Sequence, residues 1–226
     1  MTRLQTLLSR LEKFYGVLPS PPSDPFGLFV WETMSGHSTP RKRDAAFGAF
    51  RKLRALTPDA MWRTPQAKLE ASARIAGPYV ERRLESLRQG VELFRRHPDL
   101  PKTLKGEVPA ALKALKRVPG LGGDSMAYRM LLFAGDQRVL PVNAGVSRAA
   151  LRLGYGEAAS DFKRTARSVR QALSSELPDA LASYRRAYLY LAHHGALTCT
   201  QTDPHCSVCP LVDNCPEGRK RMGGKA

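Results

Sequence analysis

Apolar residues at the start of the chain, MTRLQTLLSRLEKFYG, recur three and four positions apart. Leu4, Leu7, Leu8 and Leu11 therefore fall on one face of a helix. The pattern breaks at VLPSPPSDPF, where Asp24 is placed to cap a new helix and Pro25 to open it. Onward to about residue 135 the spacing stays helical: Phe26, Phe29, Val30 and Met34, then Ala45 to Leu56, then Leu84, Leu87, Val91 and Phe94. Breaks are expected at Pro58, Gly77-Pro78, Pro98, Pro101 and Pro109. VPAALKALKRV puts Leu112, Leu115 and Val118 on a face that stops at Pro119, and the next helix runs from about Asp124 to Ala134, ending at Gly135. Asn143 to Leu153, Phe162 to Leu173 and Leu177 to Ala192 are predicted helical, and the tail EGRKRMGGKA frayed. No run combines strict alternation with β-branched enrichment, so the chain is predicted to be all-α.

At 226 residues the chain can bury one good core or divide into two modest lobes. Charge narrows the choice of partner. Lys+Arg outnumber Asp+Glu by 36 to 20, a formal +16, and the pI is near 10.2, so the surface attracts polyanions and nucleic acid is the first candidate. An anionic membrane surface is the other class such charge allows. No apolar run approaches the roughly 20 residues of a transmembrane helix, and the amino terminus is too charged for a signal peptide. A soluble cytoplasmic protein is expected.

Two stretches carry candidate chemistry. In VPGLGGDSM, the residues PGLGG must reverse the chain between two helices, a helix-hairpin-helix pattern. Gly120, Gly122 and Gly123 permit the positive φ angles and close approach of a tight turn. The free N–H groups of the second helix would face a bound phosphate, holding a duplex without reading its sequence. An ordinary αα-hairpin turn has the same spacing. Asp124 stands at the mouth of this turn, where a carboxylate would repel an anion.

The second stretch is CTQTDPHCSVCPLVDNC, which holds all four cysteines, Cys199, Cys206, Cys209 and Cys215, spaced C-x6-C-x2-C-x5-C. Disulfides do not suit a cytoplasmic protein of this size. Zinc ribbons use two close pairs, and only Cys206 and Cys209 form one here. One loop supplying four thiolates suits a [4Fe–4S] centre better, with zinc the alternative. His193, His194 and His205 lie nearby as packing or surface residues.

Together these motifs resemble the endonuclease III-like DNA glycosylases, over nearly the whole chain. DPFGLFVWETMSGHST resembles the helix that opens that family's six-helix barrel, and GPYVERRLESL the stretch that presents a wedge to the duplex. VPGLGGDSM matches the hairpin, LPVNAGVSRAALRLG the segment bearing the catalytic aspartate, and HGALTC leads into the cluster loop. The resemblance implies a six-helix barrel over residues 20–137 and a terminal lobe built from 1–19 and 138–226, with the cluster loop at 199–215. It also implies a DNA cleft between the lobes that receives an everted nucleotide. Double-stranded, damaged DNA is the implied partner, a [4Fe–4S] cluster the implied cofactor, and a monomer the expected state. Val118, Gly120, Gly122, Gly123 and Ser125 of the hairpin are the implied duplex contacts. To these it adds His37, where a glutamine commonly fills the gap left by the base, and Pro78 and Tyr79 at the wedge.

Both catalytic positions depart from the family. Members that cut the strand carry a lysine just after the hairpin glycines, which forms a Schiff base with the sugar. Asp124 stands there and forms no imine. The family aspartate that stabilises the cationic sugar is replaced by Asn143, which keeps the helix-capping oxygen and loses the charge. The loop TQTDPH contains no Lys or Arg, so basic groups must come from Arg41 to Arg43, Arg51-Lys52, Arg82-Arg83 and Lys116-Arg117. Three functions remain open: a glycosylase in which Asp124 and Asn143 have exchanged roles, a binding protein on the same fold without chemistry, and a zinc-stabilised helical module.

Overall fold

The computed structural model describes residues 1–116 and 123–223, and the side chain of Asp124 also lies outside the described set. The hairpin residues Val118, Gly120 and Gly122 and the cation Arg117 therefore fall outside it. The chain is all-α, with no β-strand among the described residues. The helices are α1 (Arg3–Tyr15), α2 (Pro25–Ser35), α3 (Pro40–Lys52), α4 (Pro58–Arg63), α5 (Gln66–Arg74), α6 (Val80–Arg96) and α7 (Leu100–Leu104). They continue with α8 (Val108–Lys116), α9 (Asp124–Phe133), α10 (Ala144–Arg152), α11 (Phe162–Ser174), α12 (Leu181–Leu197) and α13 (Pro216–Arg221). They form two compact units, Pro21–Gln137 and the joined termini Met1–Ser20 with Arg138–Ala226.

In the central unit, α2 packs on α3, α6 and α9. Its apolar residues, Phe26, Leu28, Phe29, Val30 and Met34, are buried. Phe26 meets Phe94 of α6 edge-on, 5.2 Å between ring centroids, and Phe29 lies on Gly90, where any Cβ would overlap the ring. Six of this unit's helices are nine residues or longer; α4 and α7 are shorter. In the terminal unit, the leucine stripe of α1 is fully buried on α12, and α10 packs on both α11 and α12. Where α10 crosses α12, a Cβ on Gly195 would collide with the carbonyl oxygen of Gly145, so this crossing requires glycine.

Several boundaries differ from the sequence reading. Pro58, Pro101 and Pro109 open helices rather than break them, because a proline in the first turn gives up an N–H that has no intrahelical partner. Asp24 and Pro25 open α2 as predicted. Helix α3 starts at Pro40, capped by Thr39, rather than at Ala45, and α5 has no counterpart in the apolar spacing. Helix α12 begins at Leu181, past Pro178, and continues through both histidines to Leu197. The tail is not frayed throughout: Pro216–Arg221 is helical, its first turn closed by Cys215. In α8 the buried face is Ala111 and Leu115, with Leu112 only half-buried. No helix among the described residues is long and apolar enough to cross a membrane.

Candidate functional site

The terminal unit gathers the cysteines. Cys199 follows the C-cap of α12, Cys206 and Cys209 bracket a 3-10 turn, and Cys215 precedes α13, yet all four line one hollow with Ala149, Leu153 and Leu211. Donors converge on the sulfurs. The Leu211 amide donates to Cys209 Sγ at 3.4 Å, the Gly218 amide to Cys215 Sγ at 3.3 Å, and Arg152 Nη1 to Cys199 Sγ at 3.3 Å. Burial pushes the Cys209 thiol up to about 11, with the Leu211 amide pulling the other way and the neighbouring thiols adding to the rise. Cys215 is raised for the same leading reason. Among the described residues no three or more His, Cys, Asp or Glu are arranged to hold a single metal ion.

Arg148 and Arg152 of α10 fasten the loop around this hollow. Arg148 donates to the carbonyls of Cys199 and Gly195, and Arg152 to those of Thr200 and Gln201. The loop without basic residues is thus held by two arginines of α10, a role not apparent in the sequence. Their spacing of four on one helix face is the signal that was available. His194, 3% exposed, is packed rather than free. Tyr15 Oη lies 2.9 Å from its Nδ1, and Cys209 Sγ 3.8 Å from its Nε2. Burial, then the neighbouring His193, lowers the His194 pKa to about 4 and keeps the ring neutral.

At the other end of α10, Asn143 caps the helix, its Oδ1 accepting from the Val146 amide at 2.8 Å. It is half-buried. Asn143 and the cysteine hollow are therefore the two ends of a nine-residue helix.

In the central unit, α9 starts at Asp124 as predicted, with Gly123 as its N-cap. Gly123 has φ −64°, so no positive φ requires glycine there, and no described residue lies where its Cβ would sit. Ser125 is half-buried, and its Oγ has no hydrogen-bond partner among the described residues. His37 and Tyr79 come together: both have left-handed backbones, φ 52° and 68°, and their rings lie 4.9 Å apart. Pro78 is exposed beside them. The cause is Arg83, which is buried instead of belonging to a solvated basic run. Its guanidinium donates to the carbonyls of Gly36, Ala76, Gly77 and Pro78, tying the loop after α2 to the loop before α6. Two left-handed non-glycine residues cost about 1–3 kcal/mol each, a strain the surrounding contacts must hold.

Glu32 was not singled out by sequence. It lines a pocket with His37, Tyr79 and Arg82, its side chain 2% exposed and 3.1 Å from Arg129 of α9. Burial raises its pKa, while Arg129 and then Arg43 oppose the rise. Nothing in its helical spacing marks it, because a lone glutamate in an apolar helix reads as an outward residue. Arg43 of the predicted basic run lies over the Trp31 ring at 3.8 Å and pairs with Asp44, so it is already engaged.

No family model matches the chain. It is 25% identical to endonuclease III of Treponema pallidum over 209 residues, covering 90% of this chain and 92% of that protein. Endonuclease III-like protein 1 of Bos taurus is 27% identical over 184 residues, 80% of this chain and 56% of that protein. Endonuclease III of Bacillus subtilis is 29% identical over 118 residues, about half of each chain. Among solved structures, a non-covalent endonuclease III–DNA complex superposes with a TM-score of 0.69 at 24% identity, covering 99% of this chain and all of that one. A thermostable thymine-DNA glycosylase gives 0.69 at 18% identity, covering 96% and 97%. The chain is similar to endonuclease III over most of its length, and it shares its fold with these two solved structures.

Proposed function

We propose that this endonuclease III-like chain is a DNA base-excision repair protein that binds damaged duplex, everts a base and carries out no lysine-dependent strand cleavage. The observation that carries the reading is the gathering of four cysteines on one hollow, held by α10, in a chain alignable with endonuclease III over 90% of its length. The formal +16 supports a polyanionic partner. In this reading the start of α9, with Gly123 and Ser125, holds phosphate together with Val118, Gly120 and Gly122. His37, Pro78 and Tyr79 form an edge that Arg83 keeps rigid against the opened base pair.

The cysteine hollow fits a [4Fe–4S] cluster held by Cys199, Cys206, Cys209 and Cys215. One loop supplying four thiolates at C-x6-C-x2-C-x5-C spacing suits a multi-iron centre better than a single zinc, whose ribbons use two close pairs. Amide and guanidinium donors aimed at three sulfurs suit ligands that stay negatively charged. Such a cluster supplies four covalent anchors to a loop that is otherwise held by hydrogen bonds from Arg148 and Arg152 of α10 and from Arg3 and Arg10 of α1. Damaged DNA as the substrate, a monomeric state and a cytoplasmic, nucleoid-associated location complete the proposal.

For the chemistry, Asp124 is the carboxylate that stabilises the sugar cation or orients water, and Asn143 keeps the capping role. Hydrolytic base release without imine formation follows. A second reading, a binder of distorted DNA without catalysis, is favoured by one observation: the Asn143 side-chain oxygen is already used by the Val146 amide and carries no charge. A panel of damaged duplexes decides between them. Base release that Asp124→Asn abolishes supports the glycosylase; binding with no release from any substrate supports the binder. Release left unchanged by Asp124→Asn removes Asp124 from the role. Borohydride trapping on abasic duplex should yield no covalent adduct, and an adduct would overturn the loss of imine chemistry.

A further inference from the structure

We infer that Thr198, Tyr15 and His194 form a one-way hydrogen-bond relay onto the Cys209 sulfur and set the reduction potential of the iron–sulfur centre; this rests on the cluster proposed above. Iron at the Cys209 sulfur would set the direction of each proton along these contacts. A cysteine sulfur bound to iron accepts hydrogen bonds and donates none, so the ring nitrogen facing it, His194 Nε2 at 3.8 Å, must carry the hydrogen. A neutral ring then leaves Nδ1 as an acceptor, and Tyr15 Oη at 2.9 Å must donate to it. Having given its proton to the ring, Tyr15 Oη accepts from Thr198 Oγ1 at 2.6 Å. Three donors thus point in sequence toward one sulfur.

Each member is held in place by contacts other than the one at the Cys209 sulfur. Tyr15 ends α1 and packs edge-on against His193 at 4.7 Å, while His194 and Thr198 lie four apart at the end of α12. The His194 carbonyl accepts from the amides of Thr198 and Cys199, which locks the backbone under the ring. The other sulfurs are treated differently. The Cys199 sulfur receives a guanidinium, the Cys215 sulfur a backbone amide beside the Arg152 carbonyl, and the Cys206 sulfur no hydrogen bond among the described residues. Among the described residues, a side-chain chain of more than one link reaches a sulfur only at Cys209. Polarised in series, such donors strengthen one another. Donation to a ligand sulfur withdraws electron density and favours the reduced cluster, so the relay raises the potential. The couple is a one-electron exchange with an electrode; no bond is made or broken and no proton leaves the relay.

The test uses the purified full chain carrying its cluster, with iron and sulfide counted. Voltammetry gives the midpoint potential and resonance Raman the iron–cysteine stretches for the parent, Tyr15→Phe, Thr198→Val, His194→Gln and His194→Met. Tyr15→Phe keeps the ring packing and should change the oxidised-to-reduced ratio at fixed potential about tenfold toward the oxidised form, roughly 59 mV for one electron. Thr198→Val should shift it the same way by less. His194→Gln, which keeps an N–H donor, should retain more of the parent potential than His194→Met. A full complement of iron and sulfide with parent-like potentials and Raman bands in Tyr15→Phe and His194→Met would overturn the relay while leaving the cluster standing. A parent that holds zinc, or no iron and sulfide, overturns the cluster and the relay with it.

Discussion

Replacing Glu32 by glutamine removes a charge from the core of the central unit and keeps the shape. At 3.1 Å and an effective dielectric of about 20, the attraction to Arg129 is worth about 5 kcal/mol. Against it stands the cost of taking the carboxylate out of water, several kcal/mol for each buried ion. The Glu32 carboxyl has its pKa raised, so burial outweighs Arg129 and Arg43 together. A carboxyl with a raised folded pKa adds stability below its unfolded value and loses it as pH rises toward the folded one. Over that window the parent should lose about 1.4 kcal/mol relative to Glu32→Gln for each pH unit, then run parallel to it. The assay is urea unfolding at a series of pH values followed by tryptophan fluorescence. Trp31 and Trp62 both lie in the central unit, so the signal is blind to the cysteine loop. Below about pH 4 the two proteins should be equally stable, and at neutral pH the glutamine variant should be the more stable. A variant less stable at neutral pH and equal in acid would refute the reasoning, because the ion pair would then exceed its own desolvation.

Two further substitutions probe the elements that position the sites. Gly195→Ala should cost about 1–3 kcal/mol, because its Cβ meets a backbone carbonyl that has no room to yield. Gly145→Ala, whose Cβ would find its nearest neighbours at 3.4 Å, should cost much less in the same thermal unfolding assay. Arg83→Met should free the loops at Gly36 and Pro78, destabilise the central unit by on the order of 3 kcal/mol, and raise amide exchange at Gly77 and Tyr79. Unchanged exchange there would mean that the two left-handed residues hold themselves.

The helices carrying a clear apolar stripe were legible in sequence: α1 through its leucines and α2 through its cap and proline. Helix α5 was not, since its buried positions are only Ser72 and Ala73, too small to mark a face. The cysteine site was legible because spacing alone limits what four thiols can hold. The residues that support it were not. Tyr15 and Cys209 lie nearly two hundred positions apart, and Arg152 looks like any surface arginine until the cysteine loop is folded over it. Arg83 misled for a related reason: a doublet of arginines reads as one charged patch, whereas the helix turns one outward and buries the other.

The terminal unit has a consequence for the order in which the molecule comes into being. Helix α1 is synthesised well before the residues it packs on: Thr2 bonds to Glu176, Arg3 to Asn214 and Tyr15 to His194. At 5–20 residues per second, roughly 10 to 40 s separate the emergence of Tyr15 from that of His194. During that interval the whole central unit can close while the leucine stripe of α1 waits without a surface to cover it. The terminal unit closes only once the cysteine loop has followed α12, so a nascent chain stalled before Cys215 would hold a finished middle and an open terminal unit.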